Sequence, residues 1–133
     1  MAQLDELKEL QELIDRCCIR PEMYVGYRSI ERIGTFVWAY AAGRSYGNSL
    51  NLLQYIRLFS FWIASKHKTA RNVHWPATLL EIHDQDEERS LADAPNQFSN
   101  FIQECGQYTK KEWFERIGPV GAWNEAPWST LPV

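Results

Sequence analysis

Three histidines (His67, His74, His83) and three cysteines (Cys17, Cys18, Cys105) are the side chains best suited to metal ligation or nucleophilic chemistry. Their spacing supports neither. The sequence contains no H-E-x-x-H and no C-x-x-C, so no recognisable zinc ligand set is present. His74 and His83 stand nine residues apart, whereas ligands meet on a helix only at spacings of about three or four. Cys105 falls on an apolar helical stripe, where burial disfavours a thiolate, and it reads as a small core residue. No G-x-S-x-G elbow or Walker-type phosphate loop occurs. Gly118 and Gly121 follow a predicted helix instead of opening one, so they form no anion cradle. The carboxylates around residue 86 lie in a polar run with nothing to raise a pKa toward neutrality. The expectation is a protein with no catalytic residue, no metal and no cofactor. A deep pocket combining His74 or His83 with a carboxylate of shifted pKa would instead favour an enzyme.

Charge distribution is more informative. Between Glu81 and Asp93 lie six acids (Glu81, Asp84, Asp86, Glu87, Glu88, Asp93) and one base, Arg89, a local sum of −5. Arg57, Lys66, Lys68 and Arg71 form a stretch of +4 with no acid among them. Two such patches can simply attract one another weakly, because exposed pairs contribute about 0–1 kcal/mol. Alternatively, the acidic run steers a basic partner and speeds encounter. On that reading, reversing Asp86, Glu87 and Glu88 to lysine slows association and leaves the fold intact. Trp123 and Trp128, in a stretch with three prolines and two glycines, either clamp onto the helical body or anchor a partner.

The elements that must carry these groups read as helices. The 133 residues suit one domain, 1–133, and 45% hydrophobic with 23% charged residues is ordinary for a globular protein. A net charge of −3 argues against a dedicated nucleic-acid binder. The start, Met1-Ala2-Gln3-Leu4-Asp5-Glu6, lacks the basic opening and apolar run of a secretory signal, and no apolar stretch is long enough to span a bilayer. With an odd number of cysteines, a cytoplasmic protein with free, mostly buried thiols is expected, with no membrane partner.

Leu4, Leu7, Leu10, Ile14 and Cys17 mark one face of a first helix, which Pro21 stops. An ordered loop follows over 20–28, where Pro21 fixes the chain, Gly26 allows the turn, and Met23, Tyr24 and Val25 fold back onto the core. Arg20, Glu22, Tyr27 and Arg28 are its candidates for binding. Ser29 caps a second helix carrying Ile30, Ile33, Val37, Tyr40 and Ala41, with Gly47 as its stop. Asn48 or Ser49 opens a third helix, running to about His67 and apolar nearly all round, so it belongs in the middle of the fold. Pro76 starts a short helix with Leu79, Leu80 and Ile82, preferred over a strand despite the alternation of Thr78, Leu80 and Ile82. Pro95 opens a further helix in the same way, with Phe98, Phe101, Ile102 and Cys105 on one face and Gly106 closing it. Thr109-Lys110-Lys111-Glu112 is a capping box before Trp113, Phe114 and Ile117. The fold class is all-α, a bundle of five or six helices with an irregular tail over 118–133.

The segment R-P-E-M-Y-V-G, Arg20 to Gly26, resembles the R-P-G-M-Y-I-G near the start of the ATPase subunit of type II topoisomerases. That family also carries an Asp-x-Gly-x-Gly for its nucleotide. The motif is missing here, and the likeness reads as local convergence. The order of elements resembles a different group, the small immunity-type proteins of bacterial toxin–immunity pairs. A leading helix runs into R-P-x-M-Y-x-G, and a Ser-Ile helix with Phe36, Trp38 and Tyr40 follows. An aromatic helix then ends in Phe61-Trp62, Trp75 precedes an apolar turn, and an acidic stretch leads into Phe98-x-x-Phe101-Ile102. The resemblance implies a stoichiometric inhibitor that binds a cognate toxin and covers its active site or substrate path; the alternative is a non-catalytic regulatory or scaffold subunit that binds another protein or a small ligand.

Overall fold

A computed structural model describes residues 2–47, 52–69 and 74–107, with side chains from 5 to 104 within those spans. They form six helices and, among the described residues, no strand: α1 (Ala2–Ile19), α2 (Pro21–Val25), α3 (Ile30–Ser45), α4 (Leu52–Lys66), α5 (Trp75–Ile82) and α6 (Glu87–Gln107). The all-α single-domain bundle is as the apolar periodicities require. None of the described helices is long and apolar enough to cross a membrane. Asn48, Ser49, the capping box at 109–112, the tail with Trp123 and Trp128, and the side chain of Cys105 lie outside the described residues.

Helix α4 is the hub. Nine of its fifteen residues are buried, and it packs against α1, α3, α5 and α6. Phe59, fully buried, stands among Trp62, Trp75, Phe98 and Phe101 with ring centroids 6.0, 5.6, 4.9 and 5.5 Å away. Leu7, Leu10, Ile14 and Cys17 of α1 turn inward as their spacing predicts. Burial pushes the Cys17 thiol up to about 11 and the Cys18 thiol to about 12, so near neutral pH both are inert, protonated core groups.

Side chains from distant elements cap two helix starts, those of α3 and α5. Ser29 Oγ accepts from the Arg32 N–H, and Glu87 of α6 accepts from the Ile30 N–H at 2.5 Å, so two side chains close the N-terminus of α3. Ser60 Oγ, on α4, accepts the buried N–H of Trp75 at 3.2 Å and donates to the Ile56 carbonyl. Glu9 of α1 takes Arg44 in a two-pronged pair at 2.8 and 2.9 Å and accepts from the Tyr40 hydroxyl at 2.7 Å, fastening α3 along α1. Arg44 holds the Glu9 carboxyl below its ordinary range, and the Glu9 hydrogen bond raises Tyr40.

Two local expectations are corrected. Pro21–Val25 is a short helix, not a loop, because Pro21 occupies a first-turn position and Gly26, at φ +91°, supplies the left-handed cap. Only Pro21 and Val25 of its apolar residues face inward; Met23 is 70% exposed. Pro95 does not open α6 but lies inside it. The helix starts a full two turns earlier, where Asp86 Oδ1 accepts the Arg89 N–H at 3.0 Å and the Asp86 carbonyl accepts the Ser90 N–H. An interior proline costs about 3 kcal/mol, and packing offsets it. Leu91, Ala94, Phe98 and Phe101 continue one buried stripe through Pro95, which lies along α1, and Gln11 Nε2 donates to the Pro95 carbonyl at 3.2 Å.

Where α3 crosses α5 there is no room for a side chain at residue 34. A Cβ on Gly34 would stand 2.3 Å from Pro76 Cγ and 3.3 Å from His74 Cε1. A proline ring cannot swing aside, so Gly34→Ala is expected to destabilise the fold by about 1–3 kcal/mol. That is the net cost of overpacking after the gain of about 1 kcal/mol in helix propensity. Gly43→Ala, on the same helix with nothing within 4 Å, should instead stabilise by up to about 1 kcal/mol. Urea unfolding of the pair reads the opposite signs directly, and equal behaviour would contradict the close crossing.

Candidate functional site

The acidic run straddles the turn between α5 and α6. His83 N–H bonds to the Leu79 carbonyl and Gln85 N–H to the Leu80 carbonyl, and Asp84 and Gln85 adopt left-handed φ values of 54° and 64°. Aspartate tolerates that region better than most residues. The turn therefore ends α5 abruptly and swings Asp86 into position to cap α6.

Four of the six acids are committed inside the molecule. Asp86 caps α6. Glu87 caps α3 from a half-buried position. Glu88 takes the Arg28 guanidinium through two bonds of 2.7 Å, and Arg28 also reaches Glu22 at 3.0 Å. Arg28 holds the Glu88 carboxyl below its ordinary range. Asp93 meets His83 Nε2 at 2.9 Å and accepts from Gln97 Nε2 at 3.0 Å. Glu81 and Asp84 remain, both exposed. Lys66, from the basic stretch, pairs with Glu104 at 3.8 Å and lies 4.7 Å above the Trp62 ring, whose indole N–H donates to the same carboxylate.

Arg28 joins this acidic turn to an exposed apolar edge that the sequence reading largely missed. Ile19 and Met23 are each 70% exposed, Tyr27 is 51% and Tyr24 37%. Three of these side chains rest against a neighbour. Arg32 stacks over Tyr27 at 4.2 Å, Tyr24 rests on Phe36 at 6.0 Å, and Arg20 Nη1 lies 3.9 Å from the Met23 sulfur. A signal existed for two of them. Ile19 lies off the inward stripe of α1, about 200° round the helix from Cys17, and Met23 stands in the same relation to Pro21. The expected inward fold of Met23 fails for that reason.

His74 stands apart from these groups, on a groove between α3 and α5. Among the described residues no group of three or more histidines, cysteines and carboxylates is placed to hold a metal ion. Comparison with family models, with curated proteins and with solved structures finds no match. The exposed edge offers aromatic and apolar side chains, and the α5–α6 turn adds two carboxylates with no side-chain partner among the described residues, a combination suited to gripping another protein.

Proposed function

We propose that this chain is a non-catalytic, immunity-type protein that acts in the cytoplasm, binding a cognate bacterial toxin and neutralising it by covering its active site or substrate path. The observation that carries the reading is the exposed edge formed by Ile19, Met23, Tyr24 and Tyr27, bordered by Arg20, Glu22 and Arg28. Large apolar side chains grouped on one stretch of surface mark interaction sites more often than scattered ones do. Here Met23, Tyr24 and Tyr27 each rest against a neighbour, which lowers the entropy lost on association. The order of helices and the R-P-x-M-Y-x-G segment support the immunity-type assignment by resemblance. The toxin would present a basic face toward Glu81 and Asp84.

Co-expression with a neighbouring gene product that is lethal alone tests the reading. Restored growth, with a one-to-one complex on co-purification, is the expected result. Continued lethality with this chain well expressed and folded would overturn it.

The steering role of the acidic turn has its own test. Glu81→Lys combined with Asp84→Asn changes the local charge by three units without touching any of the four committed acids, and asparagine suits the left-handed φ of residue 84. Association with the toxin should slow about threefold to tenfold at low salt, with a shallower salt dependence and unaltered stability. Unchanged association kinetics would remove the acidic turn from recognition.

A further inference from the structure

The open groove between α3 and α5 has a volume of about 450 Å³ and is lined by Glu31, Thr35, Trp38, His74, Pro76 and Ala77. Its geometry follows from the sequence of α3. Glu31, Thr35 and Trp38 are spaced i, i+4 and i+7, so they line one face of the helix. On the same helix Gly34 lets α5 come in close, its absent Cβ leaving the space that the lining residue Pro76 fills. Trp38 and His74 stand 5.8 Å apart with their ring planes inclined at 59°, making an aromatic corner, and Trp38 is 37% exposed.

The charges around that corner are unbalanced. Glu31 is exposed, and among the described residues no cation pairs with its carboxylate; its neighbour Arg32 is turned away onto the Tyr27 ring. Thr35 Oγ is occupied, donating to the Glu31 carbonyl. Partial burial lowers the His74 pKa, so at neutral pH the ring adds an uncharged face and no repulsion for a cation. A carboxylate beside an aromatic corner fits a planar guanidinium, which stacks on rings and pairs with carboxylates through two parallel bonds. Free small molecules usually bury about 70–90% of their surface. Here Glu31, Thr35, Trp38 and Ala77 are all exposed, which suits a side chain brought in on a larger surface.

We propose that the α3–α5 groove receives an arginine side chain of the partner protein, stacked on Trp38 and paired with Glu31. The inference rests on the reading of this chain as a binding protein and names a chemical feature of that partner. It also fits a partner whose approach is guided by the acids Glu81 and Asp84.

The test uses the full-length ¹⁵N-labelled chain and three probes, with the Trp38 indole resonance assigned by loss in Trp38→Phe. Acetyl-Gly-Arg-Gly-amide is expected to shift the Trp38 indole signal with a dissociation constant on the order of millimolar, as suits one isolated side chain. The citrulline peptide, equal in shape but neutral, should leave it unmoved. Glu31→Gln should weaken the arginine peptide about threefold to tenfold. Equal shifts from both peptides, or none from either, would overturn the proposal. Agmatine binding at low micromolar concentration would assign the groove to a free small cation and overturn the partner assignment. Binding that emerges only in Arg71→Ala would give the groove to this chain's own arginine, with the same consequence. None of these outcomes depends on toxin neutralisation, so the groove and the function can fail separately.

Discussion

Replacing Asp86, Glu87 and Glu88 together with lysine is expected to lower unfolding stability by about 2–5 kcal/mol, enough to threaten folding in a protein of this size. From composition these three residues look like a solvated acidic patch whose reversal leaves the fold alone. In the structure each of them holds something. Losing the Asp86 cap exposes the first N–H groups of α6. Losing Glu87 strands the Ile30 N–H, which lies at a residue with no exposed surface, so the donor has little access to water in exchange. The lysines also place positive charge at the positive ends of two helix dipoles. Losing Glu88 frees Arg28, the tie between α2 and α6. Urea unfolding followed by circular dichroism measures the sum, and Glu87→Gln isolates one part. Glutamine still offers an oxygen to the Ile30 N–H and should recover most of the loss caused by Glu87→Lys. A triple variant as stable as the parent would contradict the capping arrangement. Because this variant damages the scaffold, only the Glu81 and Asp84 changes give a clean measure of recognition.

The contrast shows what kind of information the sequence carries. Stripes on α1, α3 and α4, the Ser29 cap and the helix start at Pro76 are legible, because each depends on residues within about two turns of one another. Pro95 is not. A proline is equally at home in a first turn and, when packing along a neighbour offsets the cost, in an interior. The decision here lies with α1, more than eighty residues away, through contacts such as Gln11 with the Pro95 carbonyl. The acidic run is legible as a patch, but its commitments are to Arg28 and Ile30, separated by 60 and 57 residues, and spacing cannot reveal them. The same holds for the groove. Glu31, Thr35 and Trp38 share a face on paper, yet only the crossing of α5 at Gly34 turns that face into a recess. Exposure of Ile19 and Met23 was within reach, since both fall opposite a buried position on their own helix.

Phe59→Ala is expected to cost about 3–5 kcal/mol, the largest effect of any single substitution considered for this chain. Phe59 is fully buried at the centre of α4, and its ring is the shared neighbour of aromatic residues on α4, α5 and α6. Truncation leaves a cavity that its neighbours cannot readily close. Trp75 is held by its backbone bond to Ser60, and Phe98 and Phe101 belong to the α6 stripe anchored along α1. Edge-on ring contacts, such as the one with Phe98 at 4.9 Å and 74°, add about 0.5–1.5 kcal/mol beyond the area buried. Phe59→Leu keeps most of the volume and loses the ring contacts, so it should cost about half as much. Thermal unfolding of the two variants separates cavity from ring geometry, and equal losses would assign the whole effect to aromatic contact. The consequence for function is specific. The exposed edge at 19–27 is built on α1, α2 and the residues that follow, none of which contributes a ring to the Phe59 cluster, whereas Trp75 ties α5 to it. Phe59→Leu, while folded, should therefore bind its partner at nearly the parent's rate and with nearly its salt dependence. Glu81→Lys with Asp84→Asn should show the reverse, slower association at unaltered stability. A core and a binding surface that respond to different residues are what a protein acting by occupation requires, because as long as the core keeps the chain folded the surface stays in place.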